Sequence, residues 1–208
     1  MEDVNNSKKG IILSLCSGTG SWERPYVEAG FRVESVTLPD KDVMNYELPD
    51  EEIYGILAAP PCTHFSIART VAKTPRDLRG GMAVVHRCLE LIWEAQYRIE
   101  HDQQKRSPLK FWALENPASG FLKWFLGEPS FCFDPWQFGD GYRKKTALWG
   151  LFNKPPVLYD GKASDFTSIN NIKLSSIHLE CDLKLDRAGR KSITPKGFAK
   201  EFFKANSG

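Results

Sequence analysis

Two short stretches of this chain combine residue types that can do chemistry. In the first, Tyr54-Gly55-Ile56-Leu57 runs into Ala58-Ala59-Pro60-Pro61-Cys62-Thr63-His64-Phe65-Ser66. In the second, Lys110-Phe111-Trp112-Ala113-Leu114 ends in Glu115-Asn116-Pro117. Short apolar runs bounded by turn residues read as buried strands. Two prolines fix the backbone just before the thiol and remove two donors. Such a turn can hold Cys62 rigidly at the carboxyl edge of a sheet, where α/β proteins place their ligands. On its own, Pro-Pro-Cys also fits a packed, inert thiol, since free cysteine is usually buried.

Three further stretches keep it company. Gly10-Ile11-Ile12-Leu13-Ser14-Leu15-Cys16 reads as a first strand, followed by Ser17-Gly18-Thr19-Gly20-Ser21-Trp22 and a helical stretch to Gly30. Strand, glycine turn and helix form the layout of a nucleotide-binding βα unit, in which bare backbone approaches the ligand closely. A tight turn uses glycine for steric reasons as well, so this signal is weak alone. Thr63 to Gly81 is an irregular stretch with Arg69, Lys73, Arg76 and Arg79. It reads either as a solvated loop or as a mobile basic lid over an anionic substrate beside Cys62, and the lid is favoured because the loop begins at the candidate nucleophile. Arg143-Lys144-Lys145 follows a Gly turn.

The elements that must position these residues follow from periodicity. Phe31 to Leu38 alternates as a second strand, ended by Pro39-Asp40-Lys41-Asp42. Residues 43–52 leave little room for a full helix before the strand at 53–59. Met82 to Asp102 reads as a helix with Val85, Cys88, Leu89, Ile92, Ala95 and Ile99 on its apolar face. A short helix is expected at 121–126 and a strand at 147–152. Thr194 is the expected N-cap of a terminal helix, with Pro195 at its first position and Phe198, Phe202 and Phe203 as its packing face.

With 208 residues, 41% hydrophobic and 26% charged, the chain suits one α/β domain with a sizeable core. Residues 1–9 are expected to be disordered, and no linker divides the rest. A net charge of +2 leaves any anionic partner to a local patch. The five cysteines, at 16, 62, 88, 132 and 181, are dispersed without a Cys-x-x-Cys, which argues for reduced thiols in a cytoplasm and against a disulfide framework or metal site. No apolar run approaches the roughly 18 residues of a membrane span, and the amino terminus lacks a signal-peptide core.

Taken together, the blocks resemble the cytosine-5 DNA methyltransferases. Leu15-Cys16-Ser17-Gly18-Thr19-Gly20 resembles that family's cofactor motif, Pro60-Pro61-Cys62 with Phe65-Ser66 its nucleophile motif, and Glu115-Asn116-Pro117 its Glu-Asn-Val. Gly139 to Thr146 loosely resembles the basic motif that contacts the flipped cytosine and nearby backbone. The blocks occur in the family's order and span about two-thirds of the chain. The terminal Thr-Pro-x-Gly-Phe-Ala stretch resembles compact methylase-like proteins of phages and prophages. Departures accompany the likeness. Cys16 stands where an aromatic is usual, so packing on the adenine or methionine is expected from elsewhere, with Trp22 a candidate. Leu38 stands at the ribose-binding acid's position with Asp40 two residues on, and Thr63 replaces a Gln. Residues 153–191 are a small irregular extension where larger members carry a target-recognition domain.

The resemblance implies a Rossmann-like, mostly parallel α/β sheet of the S-adenosylmethionine-dependent methyltransferase type, acting on DNA in a bacterial or phage-infected cytoplasm. It implies Cys62 as the thiolate that adds to cytosine carbon 6, Glu115 as the acid at ring nitrogen 3, Asn116 as the residue holding the strand end and the Cys62 loop, and Arg143 and Lys145 as cations for the base carbonyl or phosphate. S-adenosylmethionine would lie along Cys16, Ser17, Gly18, Thr19, Gly20, Ser21 and Trp22, with Asp40 at the ribose, Asp42-Val43 at the adenine and Pro60 beside it. The cytosine would leave the base stack to react, and Arg69, Lys73, Arg76 and Arg79 would close over the nucleic acid. A homodimer or partner protein would supply the missing grip. Other readings keep the chemistry but act on RNA or a free cytosine nucleotide or with a modified cofactor, or make the chain a non-catalytic nucleic-acid or cofactor-binding module. A plain oxidoreductase fits poorly, because the third glycine of Gly-x-Gly-x-x-Gly is missing.

Overall fold

The computed structural model describes residues 10–67, 69, 73–97, 109–169, 171 and 187–208. The expected disordered lead-in at 1–9, the end of the long helix with Ile99, and Cys181 lie outside the described residues. Six strands form one sheet in the order β2-β1-β3-β4-β7-β5. They are β1 (Ile11–Leu15), β2 (Val33–Val36), β3 (Ile53–Ala58), β4 (Phe111–Pro117), β5 (Phe131–Phe133) and β7 (Thr146–Leu151). The first four run parallel, and β7 lies antiparallel between β4 and β5. The architecture is a mostly parallel α/β sheet flanked by helices, compatible with a Rossmann-like fold. A separate two-stranded ribbon pairs β6 (Tyr142–Arg143) with β8 (Thr167–Ser168).

The central strands are apolar because both faces are covered. All five residues of β1 are buried. Alternation along the strands divides the core in two: Leu13, Leu15, Ile56, Ala58 and Leu114 face one layer, while Ile12, Leu57, Phe111 and Ala113 face the other. The first layer is closed by α2 (Leu78–Tyr97) through Val85, Cys88, Leu91, Ile92 and Ala95. The second is closed by α1 (Arg24–Glu28) and α5 (Lys196–Asn206), where Tyr26, Phe198 and Phe202 are fully enclosed. Two further helices, α3 (Lys123–Leu126) and α4 (Arg187–Ser192), are short. Among the described residues no helix is long and apolar enough to cross a membrane.

Several expected boundaries shift for local reasons. The long helix begins at Leu78, not Met82, and takes in Gly80 and Gly81. The Asp77 carboxylate accepts the Gly80 N–H at 2.8 Å and the Asp77 carbonyl accepts the Gly81 N–H, so a side-chain cap starts the helix despite two poor helix formers. The helix after the glycine turn shrinks to Arg24–Glu28, and Cys132 falls in the short strand β5. The room between β2 and β3 holds only a single turn, Val43–Asn45, as its length suggested. Thr194 does not cap α5, whose N-cap is Pro195 with no side-chain bond. The Thr194 N–H instead donates to the Ser21 hydroxyl at 2.9 Å.

Asp140 does the capping from a distant loop, accepting the Gly197 N–H at 3.1 Å. Gly197 is needed there because an added Cβ would collide with the Phe138 carbonyl oxygen. Gly197→Ala should therefore cost about 1–3 kcal/mol, the usual penalty of overpacking. Urea unfolding measures it, with Lys200→Ala on the exposed face of the same helix expected to leave the midpoint unchanged.

Candidate active site

Parallel strands β3 and β4 are in register from Gly55 with Phe111 to Ala58 with Leu114, so their carboxyl ends emerge side by side. β3 runs out into Ala59-Pro60-Pro61-Cys62, and β4 continues into Glu115-Asn116-Pro117, where β7 still pairs with it. Asn116, fully buried, donates from its side-chain amide to the Pro60 carbonyl at 3.0 Å. This is the holding role expected of it. Its own side-chain oxygen is buried without a donor among the described residues. The Cys62 carbonyl then accepts N–H bonds from Phe65 at 3.0 Å and Ser66 at 2.8 Å, closing a turn around the cysteine. Phe65 is fully buried beneath it, and Gly81 of α2 lets the helix start approach that ring and His64.

The two candidate catalytic groups sense each other. Burial raises the Cys62 thiol above its ordinary range, the Glu115 carboxylate raises it further, and the Lys144 ammonium opposes both. Burial raises the Glu115 carboxyl, with Lys144 again pulling down. The Glu115 charge thus bears on Cys62, while burial and Lys144 act on Glu115.

The glycine turn lies at the neighbouring strand end. β1 sits between β2 and β3, so the chain leaves it in one direction and returns on the other, and the carboxyl-end crevice at such a switch point is where open α/β sheets take ligands. Gly18 and Gly20 have φ of 57° and 69°, the left-handed region that suits glycine, and Cys16 shares it at 56°. A Cβ at Gly18 would meet nothing within 4 Å, so this turn faces open space. The Gly18 N–H donates to the Thr37 hydroxyl at 3.2 Å, and the Thr19 hydroxyl to that of Ser21 at 3.1 Å. Asp42 is exposed and caps its turn through the Met44 N–H, and its charge reaches Cys16. Asp40 is exposed just beyond β2. Ser17 is half-buried in the turn.

Three residues expected at a cofactor site are buried. Trp22 is only 5% exposed and packs on Phe198 and Phe202, so its ring is spent on the core and cannot stack on an adenine. Val43 belongs to the core beside Leu15 and Val36. Pro60 is buried with its carbonyl already taken by Asn116.

The basic residues divide. Arg69 donates to the Pro75 carbonyl at 3.0 Å and the Thr74 hydroxyl at 2.6 Å. Arg76 donates to the His64 carbonyl at 2.9 Å and lies 4.9 Å from the centre of the Phe121 ring. These two arginines brace the connection after Cys62, whereas Lys73 and Arg79 remain exposed. Ala68 and residues 70–72 of the expected lid lie outside the described residues. Of the three consecutive cations, Arg143 and Lys145 act on Asp134, and Lys145 also on Cys132. Lys144, which the sequence reading passed over, is the one whose field reaches Cys62 and Glu115; it also donates to the Ile193 carbonyl at 3.3 Å. Lys144 lies in the two-residue connection between β6 and β7, where no sequence pattern distinguishes it from its neighbours. Thr37 was missed for want of any motif. Among the described residues no group of His, Cys, Asp and Glu could hold a metal ion.

No protein-family model matches the chain, and no curated protein matches it.

The electrostatics generate a prediction with opposite signs for two variants. Lys144→Gln removes the charge that favours the Cys62 thiolate, so the midpoint of Cys62 alkylation by iodoacetamide should move to higher pH. Glu115→Gln removes the opposing anion and should move it to lower pH. Peptide-resolved mass spectrometry of labelling rates across pH reads Cys62 separately from the exposed Cys132.

Proposed function

We propose that this chain transfers a methyl group from S-adenosylmethionine to carbon 5 of cytosine in DNA, through a covalent adduct on Cys62. The observation that carries the reading is the electrostatic pairing of Cys62 with Glu115 at adjoining strand ends, one strand away from an open glycine turn. Carbon 5 of cytosine is a poor nucleophile. Addition of the Cys62 sulfur at carbon 6 pushes electron density to carbon 5, and Glu115 supplies proton density at ring nitrogen 3 as the adduct forms. The raised Glu115 carboxyl suits a donor, and the raised Cys62 thiol suits a nucleophile that ionises only against a bound base. Lys144 favours the thiolate at that moment. After transfer the carbon 5 proton leaves to solvent base, the sulfur departs from carbon 6, and the thiolate is regenerated.

When bound, S-adenosylmethionine supplies an electrophilic methyl on sulfonium. The residues present fit it in part: Gly18 leaves bare backbone facing open space, Gly20 turns the chain beside the Glu23 side chain, and Asp42 is exposed nearby. A compact methyltransferase domain whose exposed cations, Lys73 and Arg79, follow the nucleophile turn accords with a nucleic-acid substrate.

Incubation with methyl-labelled S-adenosylmethionine and cytosine-containing DNA, followed by nucleoside mass spectrometry, tests the reading, with RNA and free cytidine nucleotides as parallel substrates. The expected product is 5-methyldeoxycytidine. Cys62→Ser should abolish it while leaving the fold intact, and Glu115→Gln should slow it about 10²–10⁴-fold, the usual share of general acid–base help. Undiminished methylation by Cys62→Ala, or product only in RNA or free nucleotide, would overturn the assignment.

A further inference from the structure

The surface beside the Cys62 turn carries aromatic rings that the core does not use. Phe121 and Trp124 lie stacked, with ring centres 5.1 Å apart and planes at 25°. Trp124 is 73% exposed and Phe125 and Ile67 each 50%. Isolated exposed apolar residues need no explanation, but a contiguous apolar surface of this kind marks a binding face.

This surface is fastened to the candidate nucleophile's turn at three points. The Phe121 N–H donates to the Phe65 carbonyl at 2.9 Å. Phe65 meets Phe125 edge to face at 6.4 Å. Arg76 bonds the His64 carbonyl while lying over the Phe121 ring. Residues 117–127 contain a cation, Lys123, and no acid. Aromatic faces interleaved with cations are the composition that takes unpaired nucleobases, because each base has a face to stack and each phosphate a charge to meet. A duplex cannot use the rings this way, since its bases already stack on one another.

We infer that Phe121, Trp124 and Phe125 form a stacking platform for unpaired bases of a single DNA strand, flanking the base delivered to Cys62. The identity of that base as cytosine rests on the function proposed above; the platform itself rests on the rings and cations. It supplies a grip of the kind that an extension as short as 153–191 leaves wanting, and it makes single-stranded or locally opened DNA the favoured form.

Fluorescence anisotropy with a dye-labelled single-stranded DNA, its blunt duplex and an RNA of the same sequence tests this on the full chain. The single strand should bind at least about tenfold more tightly than the duplex. Trp124→Ala combined with Phe125→Ala should lose about 10- to 100-fold of the single-strand affinity; Trp124→Ala alone, at the ring that is 73% exposed, should weaken binding with thermal melting unchanged, and Trp124→Phe should retain most of the affinity. Unchanged single-strand affinity in the double variant would overturn the platform, as would wild-type protein binding duplex or RNA as tightly. So would a dimer that the double variant dissociates, seen by sedimentation, without loss of DNA affinity. Trp124-dependent strand binding with no 5-methylcytosine formed would support the platform and count against the methyl-transfer reading alone.

Discussion

The arrangement at the sheet edge depends on one buried carbonyl, that of Pro60. Pro60 and Pro61 bring no N–H groups, so the chain leaving β3 cannot continue a strand ladder or close a turn of its own before Cys62. The Pro60 carbonyl is nevertheless buried, and a buried carbonyl left without a donor is costly. Asn116 supplies the donor from the next strand. That single bond ties the path into Cys62 to the strand that carries Glu115. The prolines stiffen the path, the amide fixes its end, and Phe65 beneath it fills the space that would otherwise let the turn shift. Rigid support of this kind is what a reacting pair needs to stay within productive distance.

The electrostatics follow from the same packing. A sheet edge covered by the start of α2 and by the segment after β4 removes water from Cys62 and Glu115, and removal of water disfavours both anions. Lys144 offsets part of that cost for each. The outcome is that both groups are raised, with Lys144 opposing the rise in each. The more exposed Cys132 thiol is also raised, by partial burial and by Glu128, with Lys145 and Lys123 opposing. The Cys88 thiol, by contrast, donates to the sulfur of Cys16, which lowers one and raises the other, deep under the glycine turn.

Much of this was legible in the sequence because the strands of a covered parallel sheet are continuous apolar runs, and polar residues mark their carboxyl ends. Cys62, Glu115, Asn116 and the glycine turn were located in this way. What escaped depended on long-range partners. The start of α2 was hidden by Gly80-Gly81, whose helical state is set by the Asp77 cap and by the need to approach Phe65. The cap of α5 comes from Asp140, some way back in the chain. Trp22 looked available for a ligand because a sequence shows no sign of the two phenylalanines in α5 that enclose it. Lys144 was overlooked between two equally basic neighbours, and only the folded path of the connection between β6 and β7 separates them.

The central claim is that Cys62, and no other thiol, forms a bond to the substrate base. DNA carrying 5-fluorocytosine tests it most directly, because fluorine at carbon 5 cannot leave as a proton does after methyl transfer and the adduct is trapped. Intact-mass spectrometry with S-adenosylmethionine present should find protein, DNA strand and one methyl group joined together, and peptide mapping should place the bond on Cys62. An adduct on Cys16, Cys88, Cys132 or Cys181, or no adduct from a protein that methylates ordinary cytosine, would contradict the account.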